Sequence, residues 1–79
     1  NSQTNFRYNV NENSDVSIVI YDLKGAVVKH LVNEYQTKGP RIVTWNVTAD
    51  IGKTVSSGVY LYHARIGGSV LTRKMIYLK

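Results

Sequence analysis

The chain has no cysteine and only one proline, one methionine, one tryptophan and one phenylalanine. Without cysteine, no disulfide can staple the fold and no thiolate can act as nucleophile or metal ligand. The compartment stays open, because disulfides point to oxidising surroundings while their lack points nowhere. No apolar run approaches the roughly 20 residues that cross a bilayer as a helix, so no membrane span is expected. Apolar residues do not recur at helical spacing. Acidic residues are few, five Asp and Glu against ten Lys and Arg, for a formal charge of +5.

What is present is globular: 43% of residues are hydrophobic and 19% charged, a balance that can support a packed core. Its 79 residues suffice for one domain, expected to span 1–79, whose small core buries roughly 60 to 65% of the surface of the unfolded chain. The first residue is Asn1, and no basic-then-apolar leader follows it. This leads us to expect a mature or excised piece, the C-terminal part of a longer secreted precursor. The excess positive charge would favour anionic partners. However, Arg7, Lys24, Lys29, Lys38, Arg41, Lys53 and Arg65 stand singly, and only Arg73 and Lys74 are adjacent. Single basic residues on strands read as solvation and edge protection.

Alternation runs through the chain. Phe6, Tyr8 and Val10 share one face of a first strand, and Val16, Ile18 and Ile20 one face of a second rich in β-branched residues. Asp22-Leu23-Lys24-Gly25 closes the second, with Gly25 supplying the positive φ of a tight hairpin. Ala26 to Asn33 reads as a third strand, and the odd spacing of Val28 and Leu31 implies a bulge. Glu34 to Gly39 reads as a loop, with Pro40 at the first position of the next strand, where Val43 and Trp45 share a face. Thr48 to Gly58 is a long connection. Strands Val59 to Ile66 and Ser69 to Leu78 flank the hairpin pair Gly67-Gly68. Six to seven short strands define an all-β fold, a small antiparallel immunoglobulin-like β-sandwich. Trp45, Tyr60, Tyr62, Ile18 and Ile20 are the expected core. Tyr60 and Tyr62 point to the same side, and each hydroxyl is expected to meet a backbone carbonyl near a corner.

Three stretches carry a family resemblance: "IYDLKGAVVKHLV", "GPRIVTWNV" and "GKTVSSGVYLYHARIGGSVLTRKMIYLK". They resemble the C-terminal sorting domain of type A cargo of the bacterial type IX secretion system. They are also similar to the immunoglobulin-like domain of the flagellar hook-capping protein. The resemblance runs from about Val16 to Lys79. Where the family usually shows Trp-Asp-Gly, this chain has Trp45-Asn46-Val47, and no Asn-Pro lead-in precedes its first strand. The resemblance implies a non-catalytic address label on a secreted protein, recognised by an outer-membrane translocon and then either removed or retained at the cell surface. Its expected recognition surface is Arg73, Lys74 and Lys79, whose positive charge suits outer-membrane secretion machinery or anionic surface polysaccharide.

Reactive groupings are sparse. His30 and His63 stand on separate strands and read as exposed strand residues rather than bases. Asp22 and Asp50 read as partners of their own turns. Gly67-Gly68 lacks the lysine and helix of a phosphate loop. No enzyme, cofactor or metal site is expected. Tyr35 and Tyr77 with Arg73 and Lys74 could form a nucleic-acid surface, but the pattern is thin and no nucleic-acid partner is expected. The rival to the sorting domain is an extracellular filament or surface-layer subunit, a homo-oligomer built by strand addition. A carbohydrate-binding module would need an exposed aromatic platform, which the sequence does not establish.

Overall fold

The computed structural model describes residues 3–78. Six strands follow one another: β1 (Thr4–Val10), β2 (Ser14–Asp22), β3 (Val27–Gln36), β4 (Gly39–Trp45), β5 (Gly58–Ile66) and β6 (Ser69–Tyr77). They form two antiparallel sheets, one of β1 and β4, the other in the order β3-β2-β5-β6. The described residues hold no helix, so the all-β immunoglobulin-like sandwich expected from alternation is the fold observed.

Alternation gives β2 and β5 one dry face. In β2 the inward residues Val16, Ile18 and Ile20 are at most 1% exposed, and each such side chain contributes roughly 1.5–3 kcal/mol on burial. Phe6, Tyr8 and Val43 of the smaller sheet pack against this layer, and Val10 and Trp45 are buried within it. Trp45 meets Tyr60 edge to face with ring centroids 5.7 Å apart. Its indole Nε1 donates to the Thr48 carbonyl at 2.8 Å, satisfying the one polar atom that its burial would otherwise strand.

The β2–β3 hairpin is set by Asp22, whose Oδ1 accepts from the backbone N–H of Lys24 and of Ala26, both at 2.9 Å. Gly25 has φ 89°, a conformation nearly free for glycine. Pairing then slips twice, between Ile18 and Val19 and between Ile20 and Tyr21. Leu31 and Val28 are the β3 residues left without a partner across those steps, so the two oddly spaced apolar residues are bulges.

The largest departures from the sequence reading lie where β3 ends and β4 begins. β3 runs three residues past Asn33, because Glu34, Tyr35 and Gln36 stay in register with Val16, Asp15 and Ser14. Gln36 is 8% exposed and accepts a 2.7 Å bond from the Tyr8 hydroxyl, so a polar residue holds the strand end. The expected loop therefore shrinks to Thr37 and Lys38, and Pro40 becomes the second residue of β4, opposite Asn9.

Candidate functional site

A two-stranded sheet lies over a four-stranded one, and the difference in width leaves one side open. Residues opposite each other in an antiparallel pair share a face. Leu71 and Arg73 pair with Ala64 and Tyr62, so they extend the core face out to the edge strand β6. No strand covers them there: Leu71 is 43% exposed. Beside them runs β1, and between the two lies a groove of about 310 Å³ lined by Asn5, Phe6, Arg7, Tyr62, Leu71 and Arg73. Its floor is the stack of Phe6 on Tyr62, with ring centroids 4.2 Å apart. Burial pushes the Tyr62 hydroxyl up from its ordinary pKa, and Tyr8 adds to the shift while the Arg73 charge opposes it.

The opposite side is closed. The connection between β4 and β5 folds back on β3, where the Asp50 N–H donates to the Val28 carbonyl at 2.9 Å and the His30 N–H donates to Asp50 Oδ1 at 3.0 Å. His30 Nδ1 lies 2.6 Å from Asp50 Oδ2. These bonds hold the Asp50 carboxyl below its ordinary pKa, the backbone bond from His30 being the largest cause and its ring bond the next. Asp50 thus serves a strand twenty residues away rather than its own turn, and His30 has a partner. A contact of that separation leaves no local pattern in the sequence. Asp22, by contrast, bonds its own turn, as its residue type suggests.

The structure separates the residues expected to form a recognition surface. Arg73 lies on the core-facing side of β6, opposite Tyr62, and Lys74 on the outer side, opposite Leu61. Both are exposed, and Lys79 lies outside the described residues. Tyr35 and Tyr77 sit on β3 and β6, the two edges of the wide sheet, and so do not assemble one platform. Ile18, Ile20, Trp45, Tyr60 and Tyr62 lie in the buried cluster. The Tyr60 hydroxyl donates to the Ser56 carbonyl at 2.6 Å. Tyr62, expected to do likewise, engages Phe6 through its ring instead. His63 Nδ1 lies 2.8 Å from Thr72 Oγ1 on the outer face. Among the described residues no group of three or more His, Cys, Asp or Glu is placed to hold a metal ion.

A disulfide-free immunoglobulin-like sandwich with one open edge matches a known family. Residues 1–66 match the FlgD Ig-like domain, and the chain belongs to that family. It is also similar to the crystal structure of FlgD from P. aeruginosa, with a TM-score of 0.71 and 25% sequence identity over 98% of this chain. That similarity covers 61% of the FlgD chain, so this chain spans less than two thirds of it. No curated protein matches. The match overturns the expected function. Of the two families that the residues resemble, the hook-capping one is found, so the type IX sorting domain and its rival, the polymerising filament subunit, both give way. The repeated signals, a hairpin at Gly25, a core tryptophan and a Ser-Gly-Val-Tyr step, belong to the sandwich and do not distinguish its uses.

Proposed function

We propose that the chain is a non-catalytic structural module of a FlgD-type flagellar hook-capping protein, acting in flagellar assembly outside the cell. The observation that carries this reading is the family match over residues 1–66, supported by the similarity of 98% of the chain to FlgD. The geometry suits such a role. Its polar side chains tie strands to loops, as with Asp22, Asp50 and Tyr60, and what it offers a partner is strand edges and faces.

The test is an in-frame deletion of this segment from its parent gene in the source bacterium, with a plasmid copy as control. Loss of hooks by electron microscopy and of swimming, both restored by the plasmid, is expected. Normal hooks in the deletion strain would overturn the assignment.

A further inference from the structure

We infer that the groove between β1 and β6 accepts an extended segment of a partner protein as an added strand, one that alternates acidic with apolar residues. The inference goes beyond the flagellar reading and does not need it. The family match ends at Ile66, before β6 begins.

Three observations carry it. First, β1 and β6 each have a single ladder neighbour, so each presents unpaired backbone groups along one side, and an added strand would sit about 4.8 Å from its neighbour. Second, the β1 side of this edge lacks the usual protection, whereas β6 carries Lys74 on its outer face. Natural edges are blunted with lysine, proline, bulges or a covering loop. Here β3 carries two bulges and the Asp50 loop, and β4 carries Pro40. β1, reading Thr-Asn-Phe-Arg-Tyr-Asn-Val, has neither lysine nor proline, and its register is unbroken. Third, the lining fixes the chemistry. Phe6, Tyr62 and Leu71 offer an apolar floor, Arg7 and Arg73 supply positive charge, and no carboxylate lines the groove. Among the described residues the one ion pair is His30 with Asp50, so neither arginine is neutralised by a carboxylate. A strand with apolar residues on its inner side, over Phe6, Tyr62 and Leu71, and Asp or Glu on its outer side, beside Arg7, matches both features, and Arg73 on the inner rim adds to the positive field of the groove. A second copy of this chain matches them poorly, since it brings the same +5 charge.

The test titrates the isotope-labelled chain with three ten-residue peptides, followed by amide NMR. One alternates Glu with Val and Phe, the second has Lys in place of Glu, and the third is the acidic peptide with alternate amides N-methylated. Expected are shifts confined to β1 and β6 with the acidic peptide, affinity at least about tenfold weaker for the lysine peptide, and loss of binding on methylation, which removes the ladder donors. The exposed substitution Arg73→Glu, with Arg7→Glu as a second variant, should reverse the preference between the first two peptides. Equal binding of both, binding that survives methylation, shifts elsewhere, or pairing of the chain with itself through β1 in place of peptide binding would each overturn the inference. Hooks can be lost on deletion whatever the peptides do, so the two readings fail separately.

Discussion

Phe6 lies nearly flat on Tyr62, with ring centroids 4.2 Å apart and planes inclined by 24°, and this contact ties the narrow sheet to the wide one at its open side. A stacked pair is worth roughly 0.5–1.5 kcal/mol beyond the area that it buries. Phe6→Leu keeps most of the area and loses the stack, so it should destabilise the domain by about 1 kcal/mol. Phe6→Ala loses both and should cost about 2–3 kcal/mol, below the range for a fully buried ring because Phe6 is only half-buried. Urea denaturation checks this through the midpoint. A Phe6→Leu midpoint equal to the parent's would show that the ring geometry contributes nothing.

Tyr60 joins packing and hydrogen bonding in one side chain. Its ring meets Trp45 and its hydroxyl fastens Ser56, four residues earlier, just before the turn into β5. Tyr60→Phe should cost about 1 kcal/mol, the net worth of an ordinary hydrogen bond plus part of the penalty for a carbonyl left unpaired. Alkali provides a second reading. Burial first, then the charges of Asp22 and Tyr77, push the Tyr60 hydroxyl above its ordinary 10.0, and burial likewise raises Tyr62. A raised pKa means that the folded state holds its proton longer than the unfolded one. The stabilisation is therefore complete below the ordinary value and is lost as pH rises through the folded value. Phenolate absorbance should show Tyr60 and Tyr62 ionising after the tyrosines of the unfolded chain, and stability should fall across that window. Ionisation of both with the unfolded chain would contradict the buried placement.

How much of this was legible follows from the range of each interaction. Alternation is local, and it located β1, β2, β4, β5 and β6 to within a residue or two, as well as the bulges at Val28 and Leu31. The end of β3 was hidden because Glu34, Tyr35 and Gln36 are polar in a sequence sense, while the ladder to β2 and the Tyr8 bond decide their structure. Asp50 was misread for the same reason, its partner being twenty residues away. Arg73 and Lys74 are neighbours in sequence, but the pleat sends them to opposite faces. The groove depends on the strand order β3-β2-β5-β6 against β1-β4, which no single strand encodes.

The Asp50 loop should come loose in acid. The Asp50 carboxyl lies below its ordinary value because the folded state bonds its charged form, so this contribution is present above the ordinary value and disappears as pH falls through the lower folded one. The amide proton of His30 reports the event by NMR, and its titration midpoint should lie below the ordinary carboxylate range. At neutral pH, Asp50→Ala should speed tryptic cleavage at the exposed Lys53. Asp50→Asn, whose amide oxygen can still accept from the His30 N–H, should speed it less. Cleavage of both variants at the parent rate would mean that the loop is held by other contacts.

Val47 is the described non-glycine residue with positive φ, 57°. A left-handed backbone costs an L-residue roughly 1–2 kcal/mol, and β-branched residues tolerate it least. Two features offset that cost. The side chain is 3% exposed within the core cluster, and the Val47 carbonyl accepts the Val55 N–H at 2.9 Å, anchoring the connection that ends at β5. Val47→Ala removes most of the burial and keeps the strain, whereas Val47→Gly removes both. Each variant should be less stable than the parent. In an element interior glycine is ordinarily worse than alanine by about 0.5–1 kcal/mol, but here it should be better by about 1 kcal/mol. Chemical denaturation of the two variants side by side checks the order, and an alanine variant as stable as the glycine one would show that residue 47 is not held left-handed in solution.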